Sequence, residues 1–115
     1  MTAPTPESGK SSTGLDQNVA AALAYLGGVI TGIIFYIIEK DSRFVKFHAM
    51  QSIITFAVVF VLHFVFLVVP IIGWVLYPLF LIGVLILWLF LMFKAFNGQM
   101  YKLPIVGDLA EKQLK

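Results

Sequence analysis

His48, Gln51, Ser52 and Thr55 follow one another at i, i+3, i+4 and i+7, a spacing that puts four polar side chains on one helical face. His63 falls within about 60° of His48 at about 100° per residue on the same helix. An imidazole with a hydroxyl four residues on is raw material for nucleophilic catalysis, but Ser52 and His48 have no carboxylate beside them and no clear oxyanion donors. Metal binding fails on distance: His48 and His63 lie about 22 Å apart along one helix. Hydrogen bonding is the remaining chemistry. The stripe either bonds neighbouring helices within a bundle, lines a substrate path, or docks a partner helix. All three follow from the cost of an unpaired polar group in hydrocarbon.

The element carrying this stripe belongs to an extreme sequence. From Phe47 to Phe93 there is no Asp, Glu, Lys or Arg, in a chain of 115 residues. Hydrophobic residues make up 60% and charged residues 12%, against about 45–50% and about 25% in soluble domains. A soluble domain this small could not hide such a run, so the bilayer is its solvent. With no cysteine, disulfides, thiolate metal sites and cysteine nucleophiles are excluded. No basic cluster suggests nucleic acid. Phosphate-binding Gly-Lys loops and paired membrane aspartates are absent too.

An all-α membrane bundle of three transmembrane helices is expected, with spans near 19–38, 47–69 and 78–96. Asp16, Gln17 or Asn18 can cap the first, and a span of 20 residues covers about 30 Å. The second begins near Ser42, with its first turns at headgroup level, and stops before Pro70, which disfavours helix at Val69. Pro78 is acceptable as the first residue of the third, and Asn97-Gly98 reads as its stop. Residues 1–15 read as a disordered arm rather than a cleaved signal peptide. Residues 16–98 form the transmembrane domain. Residues 99–115 form a cytoplasmic tail in which Ile105, Leu109 and Leu114 could share the apolar side of a short helix. Pro104-Ile-Val-Gly107 echoes Pro70-Ile-Ile-Gly73, a coincidence expected in an Ile- and Val-rich chain.

Two further features bear on function. Ala20, Ala24, Gly28 and Gly32 recur every fourth residue, a small-residue ladder that lets helix backbones approach in lipid. It serves packing within the chain or a dimer seam. Lys40, Arg43 and Lys46 form a basic loop that sets topology or meets anionic headgroups. With three spans, the Lys and Arg bias puts the first loop and C-terminus in the cytoplasm and the N-terminus outside.

Phe44-Val-Lys-Phe-His-Ala-Met-Gln-Ser52, opening a membrane helix after the charged Glu39–Arg43 loop, resembles a family of small prokaryotic membrane proteins. That family is distantly similar to the Tic-type, twenty-kilodalton import component of the chloroplast inner envelope. Asn97-Gly98, Tyr101, Leu103-Pro-Ile-Val-Gly107 and Ala110-Glu111 resemble the family's end pattern, so the likeness covers about residues 15–111. It implies work on protein or solute movement across a membrane. The plastid relative has four spans, where three are expected here. The sequence thus points to a non-enzymatic, cofactor-free component of a membrane assembly in a prokaryotic cell membrane. Its expected partners are the lipid bilayer and other membrane proteins or copies of itself. The alternative is an oligomeric channel or transporter with the helix-two stripe along its path.

Overall fold

The computed structural model describes residues 10–114, and among these every regular element is a helix. They are α1 (Gln17–Leu26), α2 (Val29–Ile38), α3 (Arg43–Val68), α4 (Ile72–Phe96) and α5 (Val106–Lys112). The disorder expected for residues 1–15 lies outside the description as far as residue 9. From Lys10 the chain forms a bonded turn, Ser11 donating its N–H to Leu15 O at 2.8 Å.

The expected first span is not one helix. It breaks at Gly27-Gly28, with Gly28 at φ +62°, a conformation glycine adopts at no steric cost. The Thr31 hydroxyl accepts from Gly27 N–H and donates to Ala24 O, both at 2.9 Å. Ser52 donates to Gly28 O at 2.8 Å, and Trp88 Nε1 donates to Tyr25 O at 2.7 Å. The break is therefore satisfied by side chains, as an interrupted helix in an apolar setting requires.

Its two halves fold back on each other. Ser12, before α1, bonds Glu39 and the Ile38 carbonyl at the end of α2. Gln17, at the start of α1, accepts from the Ser42 hydroxyl at 2.8 Å. The α1–α2 segment is a helical hairpin that enters and leaves at one end of the molecule. Ten residues per arm reach about 15 Å, half the hydrocarbon thickness. Among the described residues α3 and α4 are the helices long and apolar enough to cross a membrane, where three such helices were expected.

Ser42 caps α3 by accepting from Val45 N–H, and α3 stops at Val68, before Pro70. The next helix begins at Ile72 rather than at the expected Pro78, which lies inside it. Val69, Pro70 and Ile71 supply the whole turn. Ile71 takes φ +65°, Ile72 N–H bonds Pro70 O at 2.7 Å, and Gly73 N–H bonds Val69 O at 3.1 Å. Pro104-Ile105-Val106-Gly107 repeats this construction: Ile105 at φ +67°, Val106 N–H on Pro104 O, and Gly107 N–H on Leu103 O. The sequence echo is therefore one turn used twice, not a coincidence.

Packing divides the molecule. In the near half, α1, the start of α3 and the end of α4 close on Ala20, Ala21, Tyr25, Phe44, Val45, Leu91 and Ala95. The far half is α3 and α4 alone. There Phe60, Val61, Val68, Val75, Leu79 and Ile86 are all exposed, an apolar surface of the kind lipid covers.

Candidate functional site

The helix-two stripe sits at the centre of the near half. Serine-capped α3 presents His48, Gln51, Ser52 and Thr55 on one face, all buried. The re-entrant hairpin covers that face from one side and residues 99–103 from the other. Tyr25 of α1 reaches between the stripe residues, its hydroxyl 2.7 Å from His48 Nδ1. Gln51 Nε2 donates to the same hydroxyl at 2.9 Å. The Tyr25 hydroxyl therefore accepts from Gln51 and donates to His48 Nδ1. That leaves the His48 proton on Nε2, 3.0 Å from Gln99 O, and the ring is a neutral donor to the tail. Gln51 holds the tail twice more, donating to Tyr101 O and accepting from Leu103 N–H, each at 2.9 Å. The rings of Phe44, Phe47 and Tyr25 meet His48 edge-on.

This arrangement binds chain to chain. It brings His48, Gln51 and Ser52 together and adds Tyr25, which sequence spacing did not link to them. Ser52 bonds Gly28 O rather than His48, so no serine–histidine pair forms. Thr55 is buried with no partner for its hydroxyl among the described residues, beside an apolar cleft of about 410 Å³ that Leu62, Phe80, Leu103 and Pro104 also line. His63 does not join the stripe. It stands in the far half, its Nδ1 2.9 Å from the Tyr77 hydroxyl of α4. Among the described residues no three of His, Cys, Asp and Glu gather where they could hold a metal ion.

The small-residue ladder is spent within the chain. Ala20 and Ala24 are fully buried on α1. A Cβ on Gly32 would stand 2.9 Å from Ala49 O, and one on Gly28 would stand 3.4 Å from the Phe56 ring. These positions let α2 lie against α3 rather than forming one continuous seam.

The hairpin is locked at its open end by Glu39, 1% exposed. Its Oε2 accepts from Ser12 N–H, the Ser12 hydroxyl, Asp41 N–H and Ser42 N–H at 2.8–3.1 Å. Burial works to raise the carboxyl, but these bonds together hold it below its usual range. Lys40 and Arg43 are exposed beside it, and Lys46 lies 4.8 Å over the Tyr36 ring. Lys102 pairs with Glu111 at 3.1 Å and Asp108 at 3.5 Å across the tail hairpin. The hydrogen bond and charge of Glu111, with Asp108, hold its ammonium above the usual range.

Residues 16–110 match the sequence pattern of the magnetosome magnetite crystal formation protein family. The chain belongs to that family. It is 53% identical over 104 residues to a UPF0132 membrane protein of Methanocaldococcus jannaschii, covering 90% of this chain and 94% of the relative. A UPF0132 membrane protein of Archaeoglobus fulgidus is 50% identical over 100 residues, 87% of this chain and 97% of the relative. No solved structure matches. Both relatives are small archaeal membrane proteins, and with the apolar α3 and α4 they support a membrane location for this chain.

Proposed function

We propose that this protein is a non-enzymatic component of a membrane assembly in a prokaryotic cell membrane. Its near half is a rigid support, and the far half of α3 and α4 meets other membrane proteins or further copies of itself. One observation carries the reading: His48, Gln51 and Ser52 of the polar stripe bond within the chain, while α3 and α4 leave their outer faces in the far half as uncovered apolar surface. A channel needs its polar face toward water. Here that face holds the hairpin and the tail, which favours assembly over transport and leaves the import role implied by the Tic-type likeness without a lining. The family's name concerns magnetite crystals, but among the described residues no three of His, Cys, Asp and Glu gather where they could hold a metal ion.

The same reading sets the topology. Lys10, Lys40, Arg43, Lys46, Lys94, Lys102 and Lys112 flank the ends of the helices that meet in the near half, whereas the far turn, Val69–Ile71, has no charge. By the positive-inside bias this end is cytoplasmic. Ser12, bonded to Glu39, lies with it, in place of the outside position expected for the N-terminal side of three spans.

Single cysteines at Val61 and Ile82 test the assembly role, because the native chain has none. Cross-linking in native membranes should give discrete higher-mass species from these positions and none from buried Ala21. A mild-detergent mass equal to one chain, with no cross-link from either site, would overturn it.

A further inference from the structure

A polar cleft of about 240 Å³ opens where α2 passes to α3, lined by Lys40, Asp41, Arg43, Lys46 and Leu114. Three cations face one carboxylate there. Among the described residues none of the three cations forms an ion pair. The nearest other acid, Glu39, is buried and bonded to Ser12, Asp41 and Ser42. Arg43 and Lys46 stand in the first turn of α3, where the helix dipole adds further positive potential. The wall is built rather than incidental. Tyr36 lies beneath the Lys46 ammonium and donates its hydroxyl to Gln113 O at 3.2 Å, which brings Leu114 to the rim. The helix that leads into this cleft, α2, leaves Ile30 70% and Ile37 68% exposed, with Ile33 and Ile34 also uncovered.

A cationic recess at the end of a helix with an uncovered isoleucine face has the polarity of a phospholipid. We propose that this cleft binds the phosphate of an anionic membrane lipid, whose acyl chains lie along α2. Inorganic phosphate shares the charge but has nothing to place on the isoleucines, so the lipid is the ligand. The site rests on the reading that this end of the molecule meets the headgroups. Nanodiscs expose both faces of the protein, so the test is independent of which face is cytoplasmic.

The full chain is assembled into nanodiscs of phosphatidylcholine with graded phosphatidylglycerol, and bound lipid is counted by native mass spectrometry after release into mild detergent. Retention of phosphatidylglycerol over phosphatidylcholine is expected. Lys40→Gln, Arg43→Gln and Lys46→Gln should each lower its apparent affinity about fivefold, the effect of one basic residue near an anionic surface. Asp41→Asn should raise the affinity, an outcome that misfolding cannot mimic. Lys102→Gln and Lys112→Gln should leave it unchanged. Equal loss in those two controls, no loss in the three cleft variants, or displacement by millimolar inorganic phosphate would each overturn the proposal.

Discussion

Ser12 gives both its N–H and its hydroxyl to Glu39 Oε2, each at 2.9 Å, across 27 residues of chain. That contact closes the α1–α2 hairpin, and the proposed topology rests on it. A helix crossing the bilayer between these residues would hold them about 30 Å apart. Lys10→Cys and Gln113→Cys should therefore be labelled by an impermeant thiol reagent from the same side of the membrane. Ile72→Cys, at the far turn, should be labelled from the other side only. Labelling of Lys10→Cys and Gln113→Cys from opposite sides would restore the continuous first span.

Glu39 makes the same contact sensitive to pH. Its carboxyl is held below the usual value of 4.5, so the native state favours the ionised form. The resulting stability is present above pH 4.5 and is lost as pH falls through the depressed native value. Glu39→Gln keeps the shape but loses the charge on a group that accepts four hydrogen bonds. It should cost about 2 kcal/mol at neutral pH and flatten the acid limb of an unfolding curve measured in detergent. A variant with an unchanged acid limb would show that Glu39 is not the group responsible.

Tyr25 is the joint of the buried cluster. Tyr25→Phe removes one oxygen and leaves both His48 Nδ1 and Gln51 Nε2 short of a partner. Hydrogen bonds between membrane helices average only about 0.6 kcal/mol, but stranding two buried groups at once raises the expected loss to about 2 kcal/mol. Tyr36→Phe is the matched control, because its hydroxyl bond to Gln113 O is 3.2 Å long and exposed. It should change stability by less than about 0.5 kcal/mol. Equal losses in the two variants would show that the cluster contributes nothing special.

Gln51 ties Tyr101 and Leu103 of the tail to α3. Gln51→Leu fills the space but loses the bonds to Tyr101 O and Leu103 N–H. Cleavage after Lys102 by trypsin should accelerate at least about tenfold, the effect of about 1.4 kcal/mol on local opening. Intact-mass analysis over time reads this directly, with cleavage after Lys10 as the internal reference.

The sequence disclosed the parts of this structure that depend on local pattern. Charge-free length marks α3 and α4, Ser42 and Pro70 mark the ends of α3, and the i, i+3, i+4, i+7 spacing isolates the stripe. It concealed the hairpin because Ala20, Ala24, Gly28 and Gly32 keep a helical period straight through the break, over a length that equals one bilayer. Gly27-Gly28 followed by Thr31 was the available signal. Pro78 looked like a helix start because only the turn built by Pro70 and Ile71 makes an earlier start possible. The partners of His48 and Gln51 in the tail are backbone atoms, which have no side-chain signature. His63 misled in the opposite way, because the helical angle aligned it with His48 but the hairpin reaches only half the depth of α3.

The repeated Pro-Ile-x-Gly turn gives the sharpest steric test. In both copies a β-branched isoleucine holds positive φ, a costly conformation, and the glycine two residues on is pressed against neighbouring atoms. A Cβ on Gly73 would lie 2.2 Å from Phe66 O, and one on Gly107 would lie 2.4 Å from Lys102 Cβ. Neither obstacle is the mobile end of a side chain, so the turn itself must open. Gly73→Ala and Gly107→Ala should each cost about 2 kcal/mol or more, within the range for forced overpacking. Gly83, inside α4, has nothing within 4 Å of an added Cβ. Gly83→Ala should be neutral or stabilising by up to about 1 kcal/mol, since alanine is the better helix former. Ile71→Gly should stabilise as well, because glycine takes positive φ without strain. If Gly73→Ala and Gly83→Ala unfold at the same denaturant concentration, the strained turn is not how α3 and α4 are joined.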